Sequence, residues 1–236
     1  MIERWIMKQT WKNLLFIHWP VSEKVLRPYI PAPLEVDTFQ GHAWLGLVAF
    51  EMSQIQLKGL PVIPYTVPFP ELNVRTYVRG FEKKGVFFLT LDASNALIVK
   101  SARAWYRLPY FRAKMSMQVE DQQVRFHSVR LKSSREAAVF HTLYRPVSPV
   151  FTPREGTLEH WLTERYTYFY KSCRSQNAMM GEIYHEPWQL QTAEVNIKQN
   201  SMCYPYQVDV PFSPPLSHYS SGTVASFGRC VRIHLD

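Results

Sequence analysis

The stretch from Phe69 to Val78 alternates, and its chemistry lies on one side. Leu72, Val74, Thr76 and Val78 fall on one face of an extended chain, and Glu71, Asn73, Arg75 and Tyr77 fall on the other, because successive strand side chains point to opposite faces. An acid, an amide, a guanidinium and a phenol in one row can grip a carbonyl or a carboxylate and can move a proton beside it. The same row serves equally as the wet face of an open sheet or as the lining of a sheet closed on itself.

Other reactive residue types are placed less well for joint work. His185 and Glu186 are adjacent, so on an extended chain they diverge and do not share a metal. His18, beside Trp19 and Pro20, reads as a packed, hydrogen-bonded histidine. There is no glycine-rich phosphate loop, no Gly-x-Ser-x-Gly turn and no His-Glu-x-x-His helix, which removes the commonest nucleotide, serine-hydrolase and zinc-peptidase readings. No metal and no cofactor is expected. The three cysteines, Cys173, Cys203 and Cys230, are odd in number and far apart; they match neither a disulfide framework nor a paired-thiol motif, and a reducing cytoplasm is the expected compartment.

The elements that must position these residues are mostly strands. A first strand ends near Trp19, and Ser22 can cap a short helix through Leu26 and Arg27 that stops before Pro28. Leu34 to Asp37 is extended, and Ala43 to Met52 is apolar enough for a buried strand. A loop with Pro61, Pro64, Pro68 and Pro70 leads into the alternating strand, and Gly80 to Gly85 turns into the apolar run Val86 to Leu91. Ala96 to Leu108 reads as a strand, although its Ala, Leu, Lys and Arg equally favour helix, and Pro109 ends either. Met115 to Val119 and Val124 to Leu131 form a hairpin about Glu120-Asp121-Gln122, and Ala137 to Tyr144 a further strand. The clearest helical spacing runs from Thr157 to Cys173, followed by strands at Trp188 to Ile197, Thr223 to Phe227 and the C-terminus.

Such a pattern predicts one α+β domain over residues 1–236, mainly antiparallel β, with a strongly curved or closed sheet and few helices. With 46% hydrophobic and 19% charged residues, the chain has the composition of a packed core and not of a disordered segment. Seventeen prolines against nine glycines call for short elements with stiff connections. The charged N-terminus lacks a cleavable apolar leader, and no run reaches the length of a membrane span. The formal charge of +8 permits attraction to anions. Its densest stretch, Arg125, Arg130, Lys132 and Arg135 with Phe126 and His127 between, carries no nucleic-acid motif and reads as a solvated surface. Neither nucleic acid nor membrane is expected as a partner; a homo-oligomer is compatible with the sequence.

Several segments carry a resemblance. Phe16-Ile17-His18-Trp19-Pro20, Leu26-Arg27-Pro28-Tyr29-Ile30-Pro31, Ala43-Trp44-Leu45-Gly46, Glu71 to Val78, Ala102 to Tyr110, His185-Glu186-Pro187-Trp188 and His218-Tyr219-Ser220 resemble the YqjF-like family of uncharacterised bacterial proteins over most of the chain. More distantly, the first half resembles acetoacetate decarboxylase, through Leu26-Arg27, the proline turn and Leu34-Glu35-Val36-Asp37. That resemblance implies an α+β fold with a conical, mostly antiparallel closed β-barrel, helices outside and a pocket within. It lays the decarboxylase's Gly-Arg-Glu motif over Ala102-Arg103-Ala104 and its lysine pair over Tyr110 and Phe111. Glu71 then takes the place of an active-site glutamate, Arg103 of an arginine, and Lys12 falls near another arginine.

The departure has direct chemical meaning. A lysine attacks a ketone only when unprotonated, and burial beside a second ammonium lowers its pKa; the handling of lysine in acetoacetate decarboxylase is the standard example. Tyr110 cannot form an imine and Phe111 supplies no charge, so Schiff-base decarboxylation is not expected. Lys83-Lys84 sits at a hairpin tip where solvent screens it, and Lys100 and Lys114 each lack a neighbouring lysine. The resemblance leaves a pocket of Lys12, Glu71, Asn73, Arg75, Tyr77, Arg103 and Tyr110. Three readings follow: a binder of a small carbonyl or carboxylate compound, an enzyme in which Glu71 is the base and Tyr110 or Arg103 polarises a carbonyl in non-covalent acid–base chemistry, or a structural or oligomeric scaffold that needs no site. Against any pocket stands the plainer reading that Glu71, Arg75 and Arg103 only satisfy one another.

Overall fold

The structure, a computed structural model, describes residues 5–61, 67–131, 138–173, 177–202, 204 and 214–233. Pro64, Lys132, Arg135, Ala137 and Cys203, all named above, lie outside the described residues. The chain begins with strand β1 (Met7–Val21), a short helix α1 (Glu23–Leu26) and a 3-10 turn at Arg27–Tyr29. Ser22 stands at the N-cap in extended conformation but its side chain makes no cap hydrogen bond, and the helical path runs through Pro28 as a tighter turn instead of stopping before it. Proline at the start of such a turn gives up no donor the turn would use.

β2 (Glu35–Val36), β3 (Ala43–Leu57), β4 (Phe69–Gly80) and β5 (Lys83–Ala93) follow, then β6 (Tyr110–Glu120), β7 (Gln123–Arg130) and β8 (Val139–Pro146). The turn between β6 and β7 places Asp121 and Gln122 at positive φ, as a two-residue hairpin turn requires. β9 (Thr167–Lys171), β10 (Ala178–Tyr184), β11 (Gln191–Asn200), β12 (Leu216–Phe227) and β13 (Val231–Arg232) complete the strands. They lie in the order β13-β10-β9-β5-β6-β7-β8-β11-β12-β1-β3-β4-β2, with β5 also paired to β4 and β10 to β12. Most pairings are antiparallel; β5 runs parallel to β6 and to β9.

Two expectations fail. Ala96 to Leu108 is not a strand: Ala96–Ser101 forms helix α2 and Ala102–Tyr106 continues it as a π-helical turn. Asn95 decides this locally, its side chain accepting hydrogen bonds from the amides of Leu97 (3.0 Å) and Ile98 (3.2 Å). The helix ends at Arg107, which adopts φ 57°, before Pro109. The helical spacing from Thr157 to Cys173 is also only half realised. Helix α3 (Leu158–Thr163) is capped by the Thr157 hydroxyl, which accepts from the His160 amide, but Thr167–Lys171 is strand β9. Its aromatic run, Tyr166 to Tyr170, favours a pleated surface, and pairing with β5 and β10 overrides the periodicity. Strand β10 had no signal of its own in the sequence.

The β4 alternation is as expected, but both faces are buried. Leu72, Val74 and Val78 join a core cluster with Leu15, Ile17, Trp19 and Leu47, while Glu71, Asn73 and Arg75 face the other way. Close approach between β5 and β9 requires Gly85: a Cβ there would lie 2.3 Å from the Thr167 carbonyl oxygen, a backbone atom that cannot step aside. Gly85→Ala is expected to cost about 1–3 kcal/mol as an overpacked site, read as a lowered urea midpoint; an unchanged midpoint would refute this account of the β5–β9 contact. Among the described residues no helix is long and apolar enough to cross a membrane.

Candidate functional site

The inner face of β4 is held between β3 and β5. Phe50, Val48 and Gly46 of β3 stand opposite Glu71, Asn73 and Arg75. Across β5, Leu91 pairs with Asn73 on one side and with Tyr110 on the other. Two strands, not sequence proximity, therefore bring Tyr110 to Glu71. Its hydroxyl lies 3.0 and 2.9 Å from the two carboxyl oxygens of Glu71, and both side chains are buried.

Burial governs this pair. It pushes the Glu71 carboxyl up to about 8, the hydrogen bond from Tyr110 pulling the other way and Asp92 adding to the rise. Burial, together with Glu71, holds the Tyr110 hydroxyl well above its ordinary value. Near neutral pH both groups thus carry their protons.

That cavity measures about 100 Å³. Its wall is largely apolar and aromatic, including Trp11, Phe16, Phe50, Phe88 and Trp188, with Glu71, Asn73, Arg75, Tyr110, Thr163, Arg165 and His185 as the main polar groups. The C-terminal end of α3 sets the cationic side. The Leu162 carbonyl accepts from Tyr77 (2.9 Å) and from Arg75 (3.4 Å), and the Trp161 carbonyl accepts from Arg165 (2.6 Å). Carbonyls at a helix end have no partner within the helix and draw cations to them. Arg165 also donates to Asp37 at 2.8 Å, in an ion pair buried on both sides.

Three buried polar atoms around the cavity have no partner among the described residues: Asn73 Oδ1, Arg75 Nε and Arg165 Nη2. Buried polar atoms are nearly always satisfied in a folded protein. Arg75 makes no ion pair among the described residues, whereas Asp37 neutralises Arg165. Arg75 is thus the guanidinium at the cavity wall whose charge no carboxylate among the described residues pairs with.

Of the expected pocket residues, Glu71, Asn73, Arg75 and Tyr110 meet at this cavity. Tyr77 does not line it; its hydroxyl is taken up by His18 Nε2 (2.8 Å) and the Leu162 carbonyl. The packed reading of His18 holds: it is fully buried, and burial and Arg75 keep its pKa well below the usual value. Arg103 is exposed on the π-helical turn and donates to the backbone carbonyl of Tyr110 at 2.7 Å, so it supports Tyr110 from outside the cavity. Lys12 is exposed on β1, next to the irregularity at Asn13, and also lies outside. Glu71, Arg75 and Arg103 therefore do not satisfy one another. Lys100 and Lys114 are exposed, and no lysine lines the cavity among the described residues.

Sequence reasoning missed Arg165, whose partner Asp37 is 128 residues away, so no local pattern announces it. Trp188 anchors the site from another loop, its indole donating to the Thr163 carbonyl at 3.0 Å and stacking on Trp11 at 6.4 Å. The motif His185-Glu186-Pro187-Trp188 marked it; His185 lines the cavity while Glu186 is exposed, as expected for neighbours that diverge. Among the described residues no three His, Cys, Asp or Glu side chains cluster closely enough to hold a metal.

Residues 8–224 match the DUF2071 family, described as an uncharacterized conserved protein. The chain is 43% identical over 216 residues to the uncharacterized protein YqjF of Bacillus subtilis (strain 168), covering 92% of this chain and 88% of YqjF. Among solved structures it is similar to the enduracididine biosynthesis enzyme MppR complexed with pyruvate, with a TM-score of 0.66 at 8% identity over 98% of this chain and 91% of that one. Acetoacetate decarboxylase from Legionella pneumophila gives a TM-score of 0.63 at 12% identity over 96% and 87%. At such identities these likenesses show the fold, a mostly stranded sheet with few helices like that of acetoacetate decarboxylase. The chain therefore belongs to the DUF2071 family, the YqjF-like family to which its sequence motifs point.

Proposed function

We propose that the chain binds a small organic carboxylate bearing a carbonyl group, without forming an imine. The observation that carries this reading is the pair of buried, unpartnered guanidinium nitrogens, Arg75 Nε and Arg165 Nη2, at a cavity where the Arg75 charge has no carboxylate partner among the described residues. A monocarboxylate neutralises that charge and satisfies the guanidinium donors. The protonated Glu71 donates to the carbonyl oxygen of the same ligand, with Tyr110 holding the carboxyl in place. Size narrows the class further: about 100 Å³ is less than the roughly 150 Å³ of an engineered apolar cavity that admits benzene, so a three- or four-carbon oxo acid fits better than an aryl acid. MppR, of similar fold, was solved with pyruvate, which supports the same class here. The container is a single conical barrel closed by the β4–β5 and β10–β12 pairings, in keeping with the strand order.

A second reading, non-covalent acid–base catalysis, draws on the Glu71 carboxyl being pushed up to about 8. It makes Glu71 a general acid at neutral pH and not the base that the sequence alone implies. Turnover of an oxo acid, followed by proton nuclear magnetic resonance, separates catalyst from binder.

Titration of the protein with pyruvate tests the first reading. Arg75→Met is expected to weaken binding at least about tenfold, the loss of a charge-assisted hydrogen bond, and borohydride added to the complex is expected to leave the intact mass unchanged. Equal affinity of the variant, or a stable adduct on any lysine, would overturn the proposal.

A further inference from the structure

The segment that roofs one side of the cavity has an outer face with a different character. Between Asp92 and Glu120 the chain carries five cations, Lys100, Arg103, Arg107, Arg112 and Lys114, and no acid. Helix α2 and its π-helical turn occupy the middle of this stretch. Inward, Val99 is buried, Ile98, Ala102 and Leu108 pack on the Leu14–Phe16–Phe50 cluster, and Tyr106 and Leu108 line the cavity. Outward, Trp105 is 74% exposed and Leu97 63% exposed, with Ala96 and Ala104 beside them. Lys100, Arg103 and Arg107 are exposed along the same segment and make no ion pair among the described residues. Singly exposed apolar side chains are ordinary; what distinguishes this segment is that its exposed indole and leucine occur among cations with no acid in the stretch.

We propose that this helical segment docks on an anionic phospholipid surface, with Trp105 and Leu97 entering the headgroup–acyl boundary and Lys100, Arg103 and Arg107 against lipid phosphates. An indole with aliphatic neighbours on a cationic helix is the composition that lies in a membrane interface. Aliphatic Leu97, with Ala96 and Ala104 exposed on the same segment, complements acyl chains and not bases or sugar phosphates, which favours lipid over a nucleic-acid strand. The lack of an apolar span in the sequence bears on crossing a bilayer and leaves lying on its surface open. Docking would set the cavity's Tyr106–Leu108 wall next to the membrane. The proposal stands apart from the ligand reading and needs no occupant in the cavity.

Flotation of the full chain with vesicles tests it. The protein is expected to float with phosphatidylcholine vesicles containing phosphatidylglycerol at low salt, to be released at high salt, and not to float with phosphatidylcholine alone. Trp105→Ser, and separately the pair Lys100→Glu and Arg107→Glu, are each expected to reduce flotation at least about fivefold, since a juxtamembrane cation contributes on that order. All these side chains are exposed, so circular dichroism should match the parent. No flotation at low salt, flotation unchanged in both variants, or retention by single-stranded DNA in place of vesicles would overturn the proposal.

Discussion

With alanine at position 130, the chain is expected to lose about 3–5 kcal/mol of folding stability, the usual cost of stranding one member of a buried ion pair. Arg130 Nε and Nη2 grip the two Asp92 oxygens at 2.9 and 3.0 Å, and Nη2 also reaches Thr90 Oγ1 at 3.0 Å. The side chains are 4% and 0% exposed. Burial already raises the Asp92 pKa, and Arg130 pulls it back; without the guanidinium nothing opposes that rise. Arg130→Met combined with Asp92→Leu should recover most of the loss, because replacing both partners by apolar groups is often neutral. Urea denaturation of the three variants decides the matter: if Arg130→Ala alone costs less than about 1 kcal/mol, the pair is not the buried tie described here. The same contact accounts for Phe111. Its ring sits 4.2 Å from the Arg130 guanidinium carbon, an attractive cation–π arrangement. A lysine at that position, as the decarboxylase pattern has, would bring a second cation against Arg130.

The largest pH effect is expected from Glu71. Its carboxyl rises from 4.5 to about 8 on folding, so between those values the unfolded chain has released a proton that the folded chain keeps. Stability is then fully present below the unfolded pKa and falls as pH rises through the folded one. At about 1.4 kcal/mol per tenfold change in proton affinity, the fall amounts to about 5 kcal/mol at most across that window. Glu71→Gln keeps the shape and a hydrogen-bonding partner for Tyr110 but cannot ionise. Chemical denaturation at pH 5 and pH 8 should show the parent markedly less stable at the higher pH and the variant nearly level. A parent whose stability rises over that range, or a variant with the same slope, would show that Glu71 is ionised in the folded chain. The same proton bears on ligand binding: above pH 8 a carboxylate at Glu71 would repel an oxo acid, so affinity should decline there.

How much of this was legible beforehand depends on the range of the interaction. The β4 stripe was readable because strand alternation is local, and it correctly placed Glu71, Asn73 and Arg75 on one face. The hairpin at Asp121-Gln122, the buried strand from Ala43 and the Thr157 cap follow from residues within a few positions. Where local signals conflict, a cap or a strand pairing decided. Ala96 to Leu108 became helical because Asn95 caps it, and the apparent long helix after Thr157 broke because Thr167–Lys171 found partners in β5 and β10. Tyr110 turns its hydroxyl to Glu71, whereas Arg103, seven residues earlier on a helical turn, supports it only through the backbone.

By itself, then, the sequence determined the strand-rich class, the polar face of β4, and that Tyr110 and Phe111 stand where the decarboxylase resemblance lays a lysine pair, since those depend on residue type and short-range geometry. Only the tertiary structure decided which cations reach the cavity. Arg165 arrives through Asp37 and the end of α3, Arg75 stays without a carboxylate among the described residues, and Lys12 and Arg103 turn outward. Burial, which no residue carries in its own identity, is what pushes the Glu71 carboxyl up to about 8.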